Sequence, residues 1–176
     1  AYEIASCLVG SEMCIRDRDI RVHWAQEVGE AFDARFSATA RRYRYIICNT
    51  SIRPALLHDL VTWHRHALDV ELMNDAAKTL LGEQDFSAFR AASCQASSPH
   101  RCVTACKVTR QGDYVVVDIT ANAFLHRMVR NIVGSLLAVG SRSSTVEWFE
   151  KVLQGRDRTQ AADTAPAEGL YLVDVT

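Results

Sequence analysis

The stretch that determines the fold class is residues 102–140, CVTACKVTRQGDYVVVDITANAFLHRMVRNIVGSLLAVG. Residues 102–110 and 114–124 each have the composition of a strand, and the Gln-Gly-Asp between them predicts a β-hairpin. From residue 125 the apolar residues recur every three or four positions, which predicts a helix over 125–140. A hairpin that leads directly into a helix is typical of an α+β fold with a mainly antiparallel sheet.

The flanking sequence extends this pattern in both directions. Further strands are predicted at 20–28, 39–49, 62–67 and 170–175, and a short helix at 145–154 that Gly155 closes. Asp69 is a good N-cap, and apolar residues around it recur every four positions, which predicts a helix that ends at Gly82. Residues 83–101 are predicted to be irregular. Together these elements predict a sheet whose helices pack on one face.

The composition is that of a globular domain with an unusual choice of basic residue. The 176 residues are 48% hydrophobic and carry a net charge of −1, which excludes a uniformly basic nucleic-acid coat. No apolar run approaches the roughly 18 residues of a membrane-spanning helix. Of the 20 basic residues, 17 are Arg. Guanidinium groups grip phosphate and stack on bases, which suits RNA, but a GC-rich genome would also favour Arg codons.

The first 18 residues differ from the rest of the sequence. The apolar patch at 4–10 lacks the basic start of a secretory signal. Residues 7–18, CLVGSEMCIRDR, resemble a translated sequencing-adaptor artefact. We therefore expect residues 1–18 to be non-native and residues 19–176 to form an incomplete domain. Because the chain ends within the predicted strand 170–175, we expect a cut at that end as well.

Cysteine usage indicates a reducing compartment and no metal site. Four cysteines follow the first 18 residues, and reduced thiols in a cytoplasm are expected because no secretory signal precedes them. One conceivable zinc set consists of Cys94, His100, Cys102 and Cys106. Their spacing lacks the paired C-x-x-C pattern of zinc knuckles, and Cys102 and Cys106 share one face of a predicted strand. We therefore expect no metal ion.

The first segment that carries chemistry is residues 35–45, and the wider stretch 35–53 contains five Arg and no Asp or Glu. Alternate side chains of the predicted strand share a face: Arg41, Tyr43 and Tyr45 on one, and Arg42, Arg44 and Ile46 on the other. An aromatic ring between guanidinium groups suits unstacked RNA bases and their phosphates. Two interpretations stay open: RNA binding, or a surface strand whose Arg side chains pair with acids elsewhere in the sheet.

The second segment is residues 122–134, and it lies in a stretch that contains no acid between Asp118 and Glu147. On the predicted helix, Arg127, Arg130, Asn131 and Gly134 fall on the side away from the apolar stripe. A glycine inside a helix costs about 1 kcal/mol against Ala, so Gly134 indicates that another backbone comes close. Arg130 would then lie in a crowded place and need an anion partner. The alternative is an Arg130 side chain that simply faces solvent.

These segments resemble the tRNA pseudouridine synthase A family. The matching stretches follow the family's order and spacing, and they are residues 36–45, 81–90, 122–134 and 168–172. The third, NAFLHRMVRNIVG, is the most specific. The resemblance runs from about Asp19 to Thr176, and it implies the C-terminal portion of a pseudouridine synthase fold.

The resemblance implies a cytoplasmic, homodimeric enzyme that isomerises uridine to pseudouridine in the anticodon arm of tRNA without cofactor or metal. An aspartate attacks or assists at the ribose while the glycosidic bond breaks, and the freed uracil rotates and rejoins through carbon. Tyr43 matches the active-site tyrosine that packs on the target base and helps to move a proton, and Arg130 matches the arginine that pairs with the catalytic aspartate. Weaker matches, expected to contact tRNA or lie near the site, are Arg41, Arg42, Arg44, His126 and Arg127.

The sequence departs from the family at the catalytic residue itself. The family's aspartate lies in a Gly-Arg-Thr-Asp-Ala-Gly-Val-His motif upstream of the matching stretches, and this sequence contains no such motif. Asp33, in Phe-Asp-Ala-Arg, does not match it. We therefore expect a fragment without isomerase activity of its own. The alternative is a non-catalytic RNA-binding module that binds tRNA in a salt-sensitive manner.

Overall fold

A computed structural model describes residues 24–34 and 36–176, and the chain divides into two compact units, Ala1–Ser37 and Ala38–Thr176. In the first unit, the described residues form turns and no helix or strand. The strand predicted at 20–28 is therefore wrong over 24–28, and its first residues lie outside the described ones. The suspected non-native segment 1–18 lies outside them too, so its origin stays a prediction.

The second unit is built on a six-stranded sheet. Its strands are β1 (Arg41–Cys48), β2 (Thr62–Trp63), β3 (Gly82–Asp85), β4 (His100–Gln111), β5 (Tyr114–Ala121) and β6 (Leu170–Val175). The spatial order is β2-β1-β5-β4-β3, and β6 pairs with the first half of β1. Among these pairs only β1 and β2 run parallel. The predicted mainly antiparallel sheet is confirmed.

The β4–β5 hairpin forms at the predicted place. The chain turns at Gly112, whose φ of 58° favours glycine. From this turn the two strands pair continuously from Gln111 opposite Tyr114 to Ala105 opposite Thr120, where the register shifts. The hairpin sets the alternation of β5, and every second residue of that strand is buried.

Three helices accompany the sheet: α1 (Val70–Lys78), α2 (Met128–Gly140) and α3 (Val146–Gly155). Asp69 caps α1 as predicted and accepts a hydrogen bond from Leu72 N at 3.2 Å. The prediction that α1 ends at Gly82 is wrong, because Gly82 begins β3. Similarly, α3 includes Gly155, and the left-handed residue that ends it is Arg156, with a φ of 56°.

The core lies between one face of the sheet and the helices, which confirms the predicted layering. Val115, Val117 and Ile119 of β5 are buried on that face and belong to one apolar cluster with residues of all three helices. Asn74 of α1 fixes the helix to β4, because its side chain both donates to Val108 O and accepts from Val108 N, at 2.6 and 2.8 Å. The burial of apolar side chains in this core is the main term that stabilises the fold.

Two further expectations need correction. Residues 83–101 are not wholly irregular, since they include most of β3, a 3-10 turn at Ser87–Phe89 and the start of β4. The strand predicted at 62–67 shrinks to two residues. None of the described helices could span a membrane, and the longest of them has 13 residues.

Candidate active site

An aromatic pair lies where β1 meets the loop before α2. Tyr43 is half-buried in β1, opposite Ile119 of β5 and Leu172 of β6. The rings of Tyr43 and Phe124 meet edge to face, with their centroids 5.0 Å apart and their planes at 89°. Aromatic rings favour this arrangement, so Phe124 holds the Tyr43 ring by packing.

Arg130 lies in the first turn of α2 and is half-buried. Its Nε donates to Ala165 O at 2.7 Å, and Ala165 N donates back to Arg130 O at 3.1 Å. No carboxylate of the described residues forms an ion pair with Arg130. A partly buried guanidinium is stable only with an anion or several acceptors. The Ala165 carbonyl therefore orients the side chain while its charge stays uncompensated by this part of the chain.

Tyr45 lies near both Arg130 and Glu168. Burial raises the pKa of the Tyr45 hydroxyl to about 12; a hydrogen bond with Thr62 and the positive charge of Arg130 oppose that rise, and the negative charge of Glu168 adds to it. The hydroxyl donates to Pro166 O at 2.7 Å, one residue beyond the carbonyl that Arg130 contacts. Tyr45 and Arg130 therefore approach the same short piece of backbone from the sheet and from α2.

Gly134 explains how that backbone comes so close to the helix. A Cβ at Gly134 would lie 1.9 Å from Asp163 O and 3.3 Å from Ala165 N. No side chain fits there, which confirms that a second backbone lies against Gly134. The sequence predicted this approach without identifying the segment that makes it.

The predicted residues His126 and Arg127 lie just before α2 and are both exposed. The helix starts at Met128 rather than at Leu125, because Arg127 adopts a left-handed conformation with a φ of 60°. The ring of His126 makes a 3.1 Å contact with Ser93 Oγ through Nδ1, and its backbone N donates to Cys94 Sγ at 3.4 Å. Arg127 therefore belongs to the loop, not to the helix side on which the sequence placed it.

The predicted residue Arg41 joins the start of β1 to the same loop. Its Nη1 donates to Ala38 O at 3.0 Å and to Asn122 O at 2.8 Å. Arg41 thus connects the aromatic pair's strand to the residues that lead into α2.

The predicted residues Arg42 and Arg44 lie on the face of the sheet opposite to the one that packs against α1, α2 and α3. Both pair with Asp118 of β5, through Arg42 Nη2 at 2.6 Å and Arg44 Nη2 at 3.0 Å from Asp118 Oδ2. Hydrogen bonds from Arg42, and then from Arg44, hold the pKa of Asp118 below its usual range despite partial burial. This is the interpretation in which strand arginines pair with acids elsewhere in the sheet. A tRNA contact by either residue stays a prediction.

The two remaining candidates from the sequence are the conceivable zinc set and Asp33. Among the residues that the structure describes, no three His, Cys, Asp or Glu side chains cluster as metal ligands, Cys94, His100, Cys102 and Cys106 included. In the first unit, Asp33 Oδ1 accepts a hydrogen bond from Phe36 N at 2.8 Å and closes a turn.

Comparison with known proteins defines the class. A sequence model of the tRNA pseudouridine synthase family matches residues 76–176, which include α2 and the backbone that packs on it. The chain belongs to the tRNA pseudouridine synthase family.

The relatives that the chain matches are described as tRNA pseudouridine synthase A. The chain is 57% identical over 158 residues to tRNA pseudouridine synthase A of Shewanella loihica, and 59% identical over 157 residues to that of Actinobacillus pleuropneumoniae. These alignments cover 90% and 89% of the chain and 60% of each relative. The protein of the same description from Aliivibrio fischeri is 52% identical over 173 residues, an alignment that extends into residues 1–18. The chain spans about 60% of the length of the first two relatives.

Proposed function

We propose that this chain is the C-terminal portion of an enzyme that isomerises uridine to pseudouridine in the anticodon arm of tRNA. The observation that carries the proposal is Arg130, oriented by Ala165 O at 2.7 Å but paired with no carboxylate of the described residues. A guanidinium held in this way is ready to receive a carboxylate from another segment. In the complete enzyme that carboxylate is the catalytic aspartate.

The reaction exchanges a bond from ribose to nitrogen for a bond from ribose to carbon, so no cofactor is needed to balance it. In our proposal Arg130 holds the aspartate against the ribose while the glycosidic bond breaks. The Tyr43 ring, supported by Phe124, packs on the target uracil during its rotation, and the Tyr43 hydroxyl helps to move a proton. Extruding a base costs a few kcal/mol, which an aromatic surface and cationic phosphate contacts offset.

The same proposal assigns tRNA contacts to cationic residues around the site. His126 and Arg127 are exposed beside the N-terminus of α2, and Arg41 connects β1 to the same loop. Arg42 and Arg44 contribute less, because they share Asp118 on the other face. We further propose that the complete enzyme is a cytoplasmic homodimer, and that this chain alone lacks activity because it contains no aspartate motif.

The test restores the missing part. Residues 38–176 are joined behind the N-terminal portion of the Shewanella loihica relative, and pseudouridine is measured in tRNA transcripts. We expect product from the joined protein, no product from the 176-residue chain, and loss of product in Tyr43→Phe and Arg130→Ala. Arg53→Ala, an exposed loop variant, is the matched control and retains activity.

Full activity of both site variants would contradict the assigned roles. Binding of tRNA by the joined protein without any product would instead favour the non-catalytic RNA-binding module. Circular dichroism on each variant shows that loss of product does not result from loss of the fold.

A further inference from the structure

A polar cluster next to Arg130 joins α2 to the segment 161–165. Asn131 is almost fully buried, with 1% of its surface exposed. Its Nδ2 donates to Phe89 O at 2.7 Å, and its Oδ1 accepts from Thr164 Oγ1 at 2.6 Å. A buried amide with both ends satisfied holds its partners in one arrangement.

Arg158 completes this cluster. Its Nη2 donates to Thr164 Oγ1 at 3.1 Å and to Asn131 Oδ1 at 3.3 Å, and its Nη1 donates to Ala161 O at 3.3 Å. One guanidinium therefore joins α2 to both ends of the segment 161–164. The planar, rigid fork of an arginine suits such simultaneous contacts.

The cluster adjoins the carbonyl that orients Arg130. Thr164 directly precedes Ala165, whose backbone makes the reciprocal pair with Arg130. Asn131 directly follows Arg130 in α2. The cluster thus joins Asn131, the residue after Arg130, to Thr164, the residue before Ala165. It therefore restricts movement of Arg130 Nε relative to Ala165 O, which lie 2.7 Å apart.

We propose that Arg158 is a positioning residue, which acts through Thr164 and Asn131 to place the Ala165 carbonyl that orients Arg130. The inference rests on the proposed role of Arg130, but its first consequence is structural and measurable in this chain. If the cluster is weakened, the Arg130 side chain loses its fixed direction while the apolar core stays intact.

The first experiment follows the Nε–H group of Arg130 in the 176-residue chain by NMR. The signal is assigned by its disappearance in Arg130→Lys, and its exchange with water is compared with that of exposed Arg53. We expect Thr164→Val and Arg158→Met to speed exchange by about tenfold or more, because the hydrogen bond to Ala165 opens. Thr164→Ser keeps the hydroxyl and retains slow exchange. Thr104→Val and Arg53→Met are matched controls at exposed positions.

Unchanged exchange in both Thr164→Val and Arg158→Met would overturn the proposal. If Arg158→Met fails to fold, the comparison of Thr164→Val with Thr164→Ser decides alone. Backbone signals of the β4–β5 hairpin show that a variant keeps the sheet.

The second experiment measures turnover in the joined protein. Because the cluster orients a group without touching substrate, Thr164→Val is expected to lower kcat by about tenfold with KM nearly unchanged, and Thr164→Ser restores it. Altered exchange together with unaltered kcat would overturn the positioning role. Inactivity of the joined protein itself would count against the proposed function, and the exchange result would still stand.

Discussion

Arginines on the two sides of the sheet differ in their partners. Arg42 and Arg44 belong to β1, and Arg130 belongs to α2, which packs on the other face. On the exposed face, Arg42 and Arg44 share the carboxylate of Asp118. On the helix-covered face, Arg130 donates a hydrogen bond to the neutral carbonyl of Ala165. Arg42 and Arg44 thus have a carboxylate partner within this chain, whereas Arg130 is oriented by a hydrogen bond but has no ion-pair partner among the described residues.

This difference separates a structural arginine from a functional candidate. A surface arginine that is paired with an acid contributes little to the stability of the fold. A hydrogen-bonded arginine without an anion keeps a strong attraction for a carboxylate or phosphate. A sequence rich in Arg does not by itself distinguish a structural arginine from a functional candidate. The partner atoms distinguish them, and the predictions below test that distinction.

The largest expected effect compares lysine substitutions on the two faces. In the joined protein, Arg130→Lys should lower pseudouridine formation by about 100-fold, because lysine cannot hold a carboxylate and the Ala165 carbonyl in one plane. Arg42→Lys keeps a cation near Asp118 and should leave the rate nearly unchanged. Initial rates on tRNA transcripts check both values. Equal loss in the two variants would remove the distinction between the faces.

The next effect concerns the close approach beneath Arg130. Gly134→Ala places a methyl group against Asp163 O and should lower the free energy of unfolding by about 2 kcal/mol, because backbone must move. Gly155→Ala is the control, since open space surrounds it, and it should stabilise α3 by up to about 1 kcal/mol. Urea unfolding measures both. A neutral Gly134→Ala would mean that the segment 161–168 is not packed as described.

A smaller effect separates exposed cations by their partners. Arg127→Ala should weaken tRNA binding and reduce the slope of log affinity against log salt by about 1, as for one lost phosphate contact. Arg44→Ala should leave the slope nearly unchanged because Asp118 already occupies that side chain. Filter binding across a salt series tests this. A larger slope change for Arg44→Ala would move the tRNA path to the other face of the sheet.

The smallest effect is a pH dependence on the exposed face. The pKa of Asp118 is lowered in the fold, chiefly by the hydrogen bond from Arg42. Its contribution is therefore complete above the unfolded value of about 3.9 and is lost as pH falls through the lower folded value. At pH 7, Asp118→Asn should cost about 1 kcal/mol or less. The difference from the unaltered chain should shrink as pH falls below about 4, and a difference independent of pH would argue against the ion pairs.

Much of this architecture was predictable because its causes are local. The β4–β5 hairpin follows from alternating residues around Gly112, and the cap of α1 follows from the side chain of Asp69. Local reasoning failed where distant contacts intervene. Residues 82–85 became an edge strand because β4 offered backbone partners, and α2 starts late because Arg127 turns left-handed against its own helix preference.

The candidate site divides in the same way. Tyr43 and Arg130 carried a sequence signal, and Gly134 announced a nearby backbone. Phe124, Thr164 and Arg158 were missed, because a ring contact or a hydrogen bond to a carbonyl leaves no spacing pattern. The contacts of Asn131 with Thr164 and with Arg158 join residues that are 33 and 27 positions apart along the chain.

By itself the sequence determined the α+β class, the order of most elements and the two arginine-bearing segments, since side-chain period and turn chemistry act over a few residues. Only the tertiary structure decided which arginines meet an acid. Asp118 lies 76 and 74 positions from Arg42 and Arg44, and strand pairing brings them together. Ala165 lies 35 positions from Arg130, and the two come close because Gly134 has no side chain to hold that backbone away from α2. Charge compensation depends on the distance between side chains in space, and the order of residues in the sequence does not give that distance.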